Sequence, residues 1–390
     1  MTHRIAPLLL FLTCLLCISV YAYDFALPCG SGQTIYYKIT SHTEPYTVEI
    51  VAQNEEAPYY ATFPSGQMVI PPAVRYEKRT YTITSIGANA FYKCIRLNKV
   101  TLPNTITEIK EEAFNSCTAL SHINIPASVT KIGQSAFADC ASLSKITLPP
   151  SVIEVGEWAF DGCSKINKPV FNEHCFAYMP PTFSGKYVVP EGITHISGGS
   201  FSHCIGLTEI VLPTSLRAIG ERAFFFCSNL KNVKLPNAVT QIGKSVFAGC
   251  SALTQPIYNT TVFAYMPPTR TGLYTVAEGI KQIAGWAFYS CANLTEVILP
   301  SSLTLIAEGA FYECENLKSI TIPKSVTDIG EDAFAGCDNL KTITCLATTP
   351  PNASLSFDDV HIPLFVPANS LANYKLQEPW KQFEVQALSE

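Results

Sequence analysis

Charge is scarce in this sequence: 15% of its 390 residues are Asp, Glu, Lys or Arg, and the net charge is −5. No basic run occurs, so nucleic acid finds no electrostatic footprint. The few charges stand singly, as on a solvated face. Catalytic signatures are missing too: there is no G-x-S-x-G elbow, no H-E-x-x-H, no Walker loop and no G-x-G-x-x-G. Cys29 to Thr34, CGSGQT, has the wording of a phosphate loop, but no helical pattern follows it. His174-Cys175 and His203-Cys204 are neighbours in sequence, whereas a Cys–His nucleophile needs side chains that converge in space. These absences exclude the common enzyme classes, and no cofactor is expected. Past the N-terminus no stretch of about 18 apolar residues occurs, so no transmembrane segment is expected.

What the N-terminus has is a secretory signal pattern. Arg4 precedes the apolar run APLLLFLTCLLCISV, Ala6 to Val20, and Val20-Tyr21-Ala22 fits the small-residue cleavage rule. The mature chain is expected to begin at Tyr23, exported to the extracellular space or cell surface, with the periplasm as the alternative. A lipidated Cys17 is disfavoured because Leu16 stands where a small residue belongs. Of 15 cysteines, Cys14 and Cys17 leave with the signal and 13 remain.

Those cysteines are not spaced as a disulfide framework. Phe-x-x-Cys recurs every 23 residues, from AFYKC at Ala90 through AFNSC, AFADC and AFDGC. It resumes at SFSHC (Ser200), AFFFC and VFAGC, and again at AFYSC (Ala287), AFYEC and AFAGC, ten units in all. One unit, CTALSHINIPASVTKIGQSAFADC, alternates Ile123 and Ile125 around Asn124, the period of a strand, until Pro126 ends it. A second short extended piece ends at Ile132-Gly133, and QSAFADC is expected to form a helical or 3₁₀ turn. One unit cannot bury its apolar side, but stacked copies can, so the chain reads as a β-rich solenoid. The ten cysteines then form one column. A metal needs ligands converging on one point, so the column is expected to be small buried filler and free thiols.

Two gaps measure 41 residues rather than 23, Phe160 to Phe201 and Phe247 to Phe288. Each holds FAYMPPT, at Phe176 and Phe263, 87 residues apart. The surrounding runs, KPVFNEHCFAYMPP and QPIYNTTVFAYMPP, read as β-hairpins turning at 172–174 and 259–261. Reactive residues are not kept between the copies: His174 becomes Thr261 and Cys175 becomes Val262. What is kept is apolar, turn-forming or, at Glu191 and Glu278, a lone acid. The inserts are therefore expected to be scaffold. The ends lack the repeat. TIYYKI and YTVEIV predict β-hairpins, while Ser370 is a candidate N-cap and Trp380 and Phe383 are expected to plug the last turn.

Units of the form C-x-x-L-x-x-I-x-[IL]-P-x-S-[VL]-x-x-I-G-x-x-A-F closely resemble the BspA-like branch of leucine-rich-repeat proteins. The FAYMPP hairpins and the TTPP…LFVP ending resemble it too. The resemblance implies a leucine-rich-repeat solenoid of ten Phe-x-x-Cys units with two hairpin inserts. It also implies secretion or surface attachment and adhesion to host or bacterial surface macromolecules without catalysis. The expected organisation is a signal peptide over residues 1–22, an N-terminal β-hairpin cap over 23–85, the solenoid over 86–345 and a C-terminal cap over 346–390. A repeat scaffold does not name its partner.

If the strands carry the binding surface, alternation sends one row of side chains outward. The candidate partner-binding residues are Lys99, His122, Asn124, Lys145, Glu209, Asn232, Lys234 and Glu296. The row is mixed in charge and contains no Trp, which favours a protein ligand over a glycan. A glycan-capture protein is the alternative, with Tyr178, Tyr187, Tyr265 and Tyr274 on the inserts as its platforms. Phe225 and Phe226 are a second candidate patch.

Overall fold

The structure, a computed structural model, describes residues 22–357 and 361–388. The expected signal segment lies outside them except for Ala22. The chain winds into a β-solenoid of about 13 turns with spacing near 23 residues and very little helix. Each turn contributes to two parallel ladders. The short ladder pairs two-residue strands in strict 23-residue register, Glu108–Ile109 with Lys131–Ile132 and that with Glu154–Val155. The long ladder pairs strands such as Ser319–Ile322 with Thr342–Cys345. Glycine closes the short strand where turns press together: a Cβ on Gly133 would lie 2.4 Å from the Glu111 backbone nitrogen.

The turn at Gln134–Cys140 is more broken than a helix. Ala138 N–H donates to Ser135 O at 3.0 Å and Cys140 N–H to Phe137 O at 3.2 Å, the i→i+3 bonds of a 3₁₀ turn. Ser135 and Asp139 stand at φ 50° and 56°, the left-handed region, so no helix can propagate. The N–H groups of Phe137 and Asp139 point along the solenoid instead, to Ala159 O at 2.8 Å and Asp161 O at 2.7 Å in the next turn. Half of this turn's hydrogen bonds thus close it and half stitch it to its neighbour.

Inside, the phenylalanines stack in three runs. Phe91 to Phe160 form the first, with Phe114–Phe137 and Phe137–Phe160 centroids 5.4 and 5.5 Å apart. Phe176 to Phe247 form the second. Phe263 to Phe357 form the third. Phe357 extends the column one turn past the ten expected units, stacked 5.0 Å from Phe334. The Phe-x-x-Cys pattern misses it because Val360 replaces the cysteine.

The breaks between runs are the inserts. Val170–Phe171 and Cys175–Tyr178 form an antiparallel hairpin, and Cys175–Tyr178 continues the short ladder onto His195–Ile196. Val262–Tyr265 does the same in the second copy. Ser184–Val188 and Gly272–Thr275 then restart the long ladder. The long ladder is therefore three sheets of three, two and six strands. One asparagine anchors each hairpin. Asn172 Nδ2 donates to Pro149 O and Val152 O, at 2.9 and 2.7 Å, while its Oδ1 accepts from His174 N and Cys175 N. Asn259 repeats the arrangement on Pro236, Val239, Thr261 and Val262.

At the N-terminal end Phe25–Pro28, Thr34–Ser41 and Thr47–Val51 form an antiparallel meander. Thr47–Val51 then pairs parallel with Arg79–Ile86, where the solenoid register begins. At the other end Trp380 and Tyr374 are fully buried and Phe383 nearly so. Trp380 Nε1 donates to Pro351 O at 2.8 Å. Ser370 precedes the α-helical turn Leu371–Tyr374 without capping it; its hydroxyl donates to Asn369 Oδ1 instead.

Candidate recognition surface

All 13 cysteines among the described residues are buried and outside any disulfide, and no cluster of metal-ligating side chains occurs among those residues. The column thiols have a finer role than filler. Cys117, Cys140 and Cys163 each donate to the carbonyl of the phenylalanine 26 residues back, at 3.1, 3.2 and 3.1 Å. That carbonyl already accepts an N–H from its own turn, so the thiol uses its second lone pair. Burial pushes the Cys163 and Cys291 thiols up to about 12, which keeps them protonated and inert. Cys29, Cys175 and Cys345 lie off the column and bond to Ser31, Ser197 and Tyr374.

Neither His174 with Cys175 nor His203 with Cys204 converges. His203 is exposed and stacks on Phe226, while the Cys204 thiol points to the carbonyls of Met179 and Pro180. His174 lies beside Glu173 at 3.4 Å, away from the Cys175–Ser197 contact. The retained acids are structural clasps. Glu191 accepts from Thr214 N and Oγ1, each at 3.2 Å, and Glu278 does the same from Ser301.

The insert tyrosines divide into two pairs. Tyr178 and Tyr265 are buried, and burial raises both phenols. Their ring faces belong to the core and form no surface platform. Tyr187 is half-buried edge-on to Phe176 and Phe183. Tyr274 is half-buried under the Arg270 guanidinium.

Every residue of the expected outward row points away from the core, but the three sheets separate the residues into groups. Lys99 and His122 are register partners in the first sheet, and Lys145 follows on the next turn. Together with Asn124 they line a groove of about 700 Å³. Asn124 is occupied structurally, its amide accepting from Leu102 N at 2.8 Å and donating to Leu102 O at 2.9 Å. In the second sheet Glu209 pairs with Lys186 at 2.7 Å and lies beside Asn232, with Lys234 exposed. In the third, Glu296 lines a smaller groove of about 480 Å³ with Glu278, Ile298, Thr321 and Lys324. The face thus runs from basic, through neutralised, to acidic.

The outward row also carries exposed aliphatics. Val69, Val188 and Leu273 sit on strands that begin a sheet, Val211 and Ile298 on the strands that pair with the last two. Val188 and Val211 are direct partners, 57% and 38% exposed. Val211 and Ile298 follow Glu209 and Glu296 by one alternation, so the repeat points them outward; the other three lie on the first strand of each sheet, outside the 23-residue count. On the turn side, Phe226 is exposed and Phe225 half-buried. Trp286, Tyr289 and Tyr312 form a further aromatic cluster there, with centroids 4.8 to 6.1 Å apart.

The family model for the BspA type leucine rich repeat region matches residues 78–188, 172–264 and 271–366, well over half of the chain. No curated protein matches. Among solved structures, the chain is similar to a leucine rich cell surface protein from Faecalibacterium prausnitzii, at 24% identity over 94% of this chain and 95% of that one, TM-score 0.42. It is similar to a leucine-rich repeat protein from Bacteroides ovatus at 26% identity over 94% and 100%, TM-score 0.39. A leucine-rich repeat protein from Eubacterium ventriosum matches at 21% identity over 80% and 95%, TM-score 0.45. No helix among the described residues is long and apolar enough to cross a membrane. With the repeat motif, the stacked columns and the family model in agreement along the chain, the protein belongs to the BspA-type leucine-rich-repeat family.

Proposed function

We propose that this chain is an exported, non-catalytic recognition scaffold that binds a protein partner at a host or bacterial surface through the outward face of the long ladder. The observation that carries the reading is the row of exposed aliphatics, Val69, Val188, Val211, Leu273 and Ile298, set among Lys99, Lys145, Glu209, Lys234 and Glu296. Apolar anchors within a polar rim are what a protein interface needs, and adjoining exposed apolar side chains, as at Val188 and Val211, can mark interaction sites. Family membership supports surface display, with a signal at residues 1–22, caps over 23–85 and 346–390, and the solenoid over 86–345 as the working division. The test compares the wild-type mature chain with Val188→Asp/Val211→Asp in capturing proteins from surface extracts. The expected result is a wild-type partner absent from the variant, at equal melting temperature. Identical capture by both proteins contradicts this reading.

A second reading, glycan capture, is favoured by one feature, the Trp286–Tyr289–Tyr312 cluster, rather than by the insert tyrosines. Glycan-array binding that Tyr289→Ala abolishes would establish it. An array without signal removes it.

A further inference from the structure

The long ladder opens just before the first insert. In the third sheet Ser319–Ile322 and Thr342–Cys345 pair over four residues. At the end of the first sheet, His122–Ile123 is a two-residue strand, and the next segment, Lys145 to Leu148, forms no strand at all. Among the described residues, the backbone N–H and C=O groups of Lys145 to Leu148 make no backbone hydrogen bond. The aliphatic floor is uncovered at the same place. Ile123, Ile125 and Ile146 are half-buried, whereas their counterparts Val100, Leu102, Ile320 and Ile322 are buried. Over this opening lies the groove of about 700 Å³. Its lining includes Lys99, His122 and Lys145 and, among the described residues, no acidic side chain. No ion pair engages Lys99 or Lys145 among those residues.

We propose that this groove receives an extended, acidic peptide segment of the protein partner, which pairs its main chain with Lys145–Leu148 and sets carboxylates against Lys99 and Lys145. The inference rests on the protein-recognition reading above and names the partner's chemistry at one end of the ladder. An unpaired strand segment is a template for strand addition, with main-chain bonds giving affinity and alternate side chains giving selectivity. Here one face of the added strand lies against Ile146, the half-buried aliphatic of the segment it pairs with. Lys99 and His122 stand on paired rungs about 4.8 Å apart, and Lys145 lines the same groove on the next turn. Lys99 and Lys145 attract carboxylates and repel a basic segment, and His122 offers an imidazole nitrogen as a hydrogen-bond partner.

The test uses fluorescence anisotropy with the mature chain and three labelled eight-residue peptides. One alternates Glu and Val, one alternates Lys and Val, and one is the acidic peptide N-methylated at alternate amides. The acidic peptide is expected to bind saturably and the basic one not at all. N-methylation, which removes main-chain donors, should weaken binding about tenfold or more. Lys99→Glu/Lys145→Glu should also weaken it about tenfold or more. Lys99→Gln/Lys145→Gln serves if the reversed charges lower the melting temperature. Equal binding of the acidic and basic peptides, no saturable binding, or affinity unchanged in the lysine variants overturns the proposal. Val188→Asp/Val211→Asp lies on another sheet and should leave peptide binding intact. Loss of partner capture in that variant alone therefore keeps the two readings separable.

Discussion

A thiol recurs at the same corner of turn after turn because that corner needs a small apolar group that can also donate. Alanine would fill less volume and leave the phenylalanine carbonyl with one donor. Serine would bring a hydroxyl with stronger hydrogen-bonding demands into an apolar column. The burial that makes the thiols inert also sets a pH limit. Cys163 rises from its ordinary value of 9.0 to about 12 in the folded chain. Above pH 9 the unfolded chain releases this proton and the native chain keeps it, so stability is full below that pH and falls as pH rises toward 12. Denaturant midpoints measured from pH 7 to 10.5 should drop at the alkaline end, and Cys163→Ala should flatten the drop. At pH 8 native thiols should react slowly with a thiol reagent, and all 13 of the mature chain should react in denaturant. Rapid native reaction of several thiols, or an alkaline plateau in stability, would show that the column is not buried as described.

At the scale of the element, the duplicated hairpins behave as splices. Each adds a strand to the short ladder and restarts the long one, and each hangs on one asparagine and one buried tyrosine. Asn172→Ala removes two donors and two acceptor contacts at a half-buried site and should cost about 2 to 3 kcal/mol. Asn172→Asp should also destabilise, because a carboxylate cannot donate to Pro149 O and Val152 O. Tyr178→Ala and Tyr265→Ala should each cost about 3 kcal/mol or more. The two copies should match closely, since their surroundings are duplicated with them. Melting curves on the paired mutants check this. Normal melting with lost binding would return the tyrosines to the surface. Hairpin strands and turn positions could be read from the sequence, because apolar runs flank a short polar turn in both copies. The anchoring by Asn172 and Asn259 could not, since their acceptors lie 20 to 23 residues upstream and are backbone carbonyls of any residue type.

For the whole molecule, the 23-residue period predicts the ladders, the columns and the outward direction of Lys99, His122, Lys145 and Glu296. It does not predict the division of the long ladder into three sheets, which depends on how each insert offsets the backbone. The exposed Val188 and Leu273, the uncovered Ile146 and the open segment at Lys145–Leu148 all follow from that division. Periodicity also has no means of placing Trp286 beside Tyr312, because the contact joins residues of adjacent turns at positions the repeat leaves variable. The result is a scaffold with a regular interior and an outward face whose charge changes sign along its length. The most direct measurement of the central claim is hydrogen–deuterium exchange of residues 23–390 with and without a protein recovered in the capture comparison proposed above. The account predicts protection on the long-ladder strands, at Arg96–Thr101, Ser184–Val188, Gly206–Val211 and Leu294–Ile298, with the turn segments unchanged. Protection confined to the turns around Trp286 and Phe226, or to the short ladder, would contradict it.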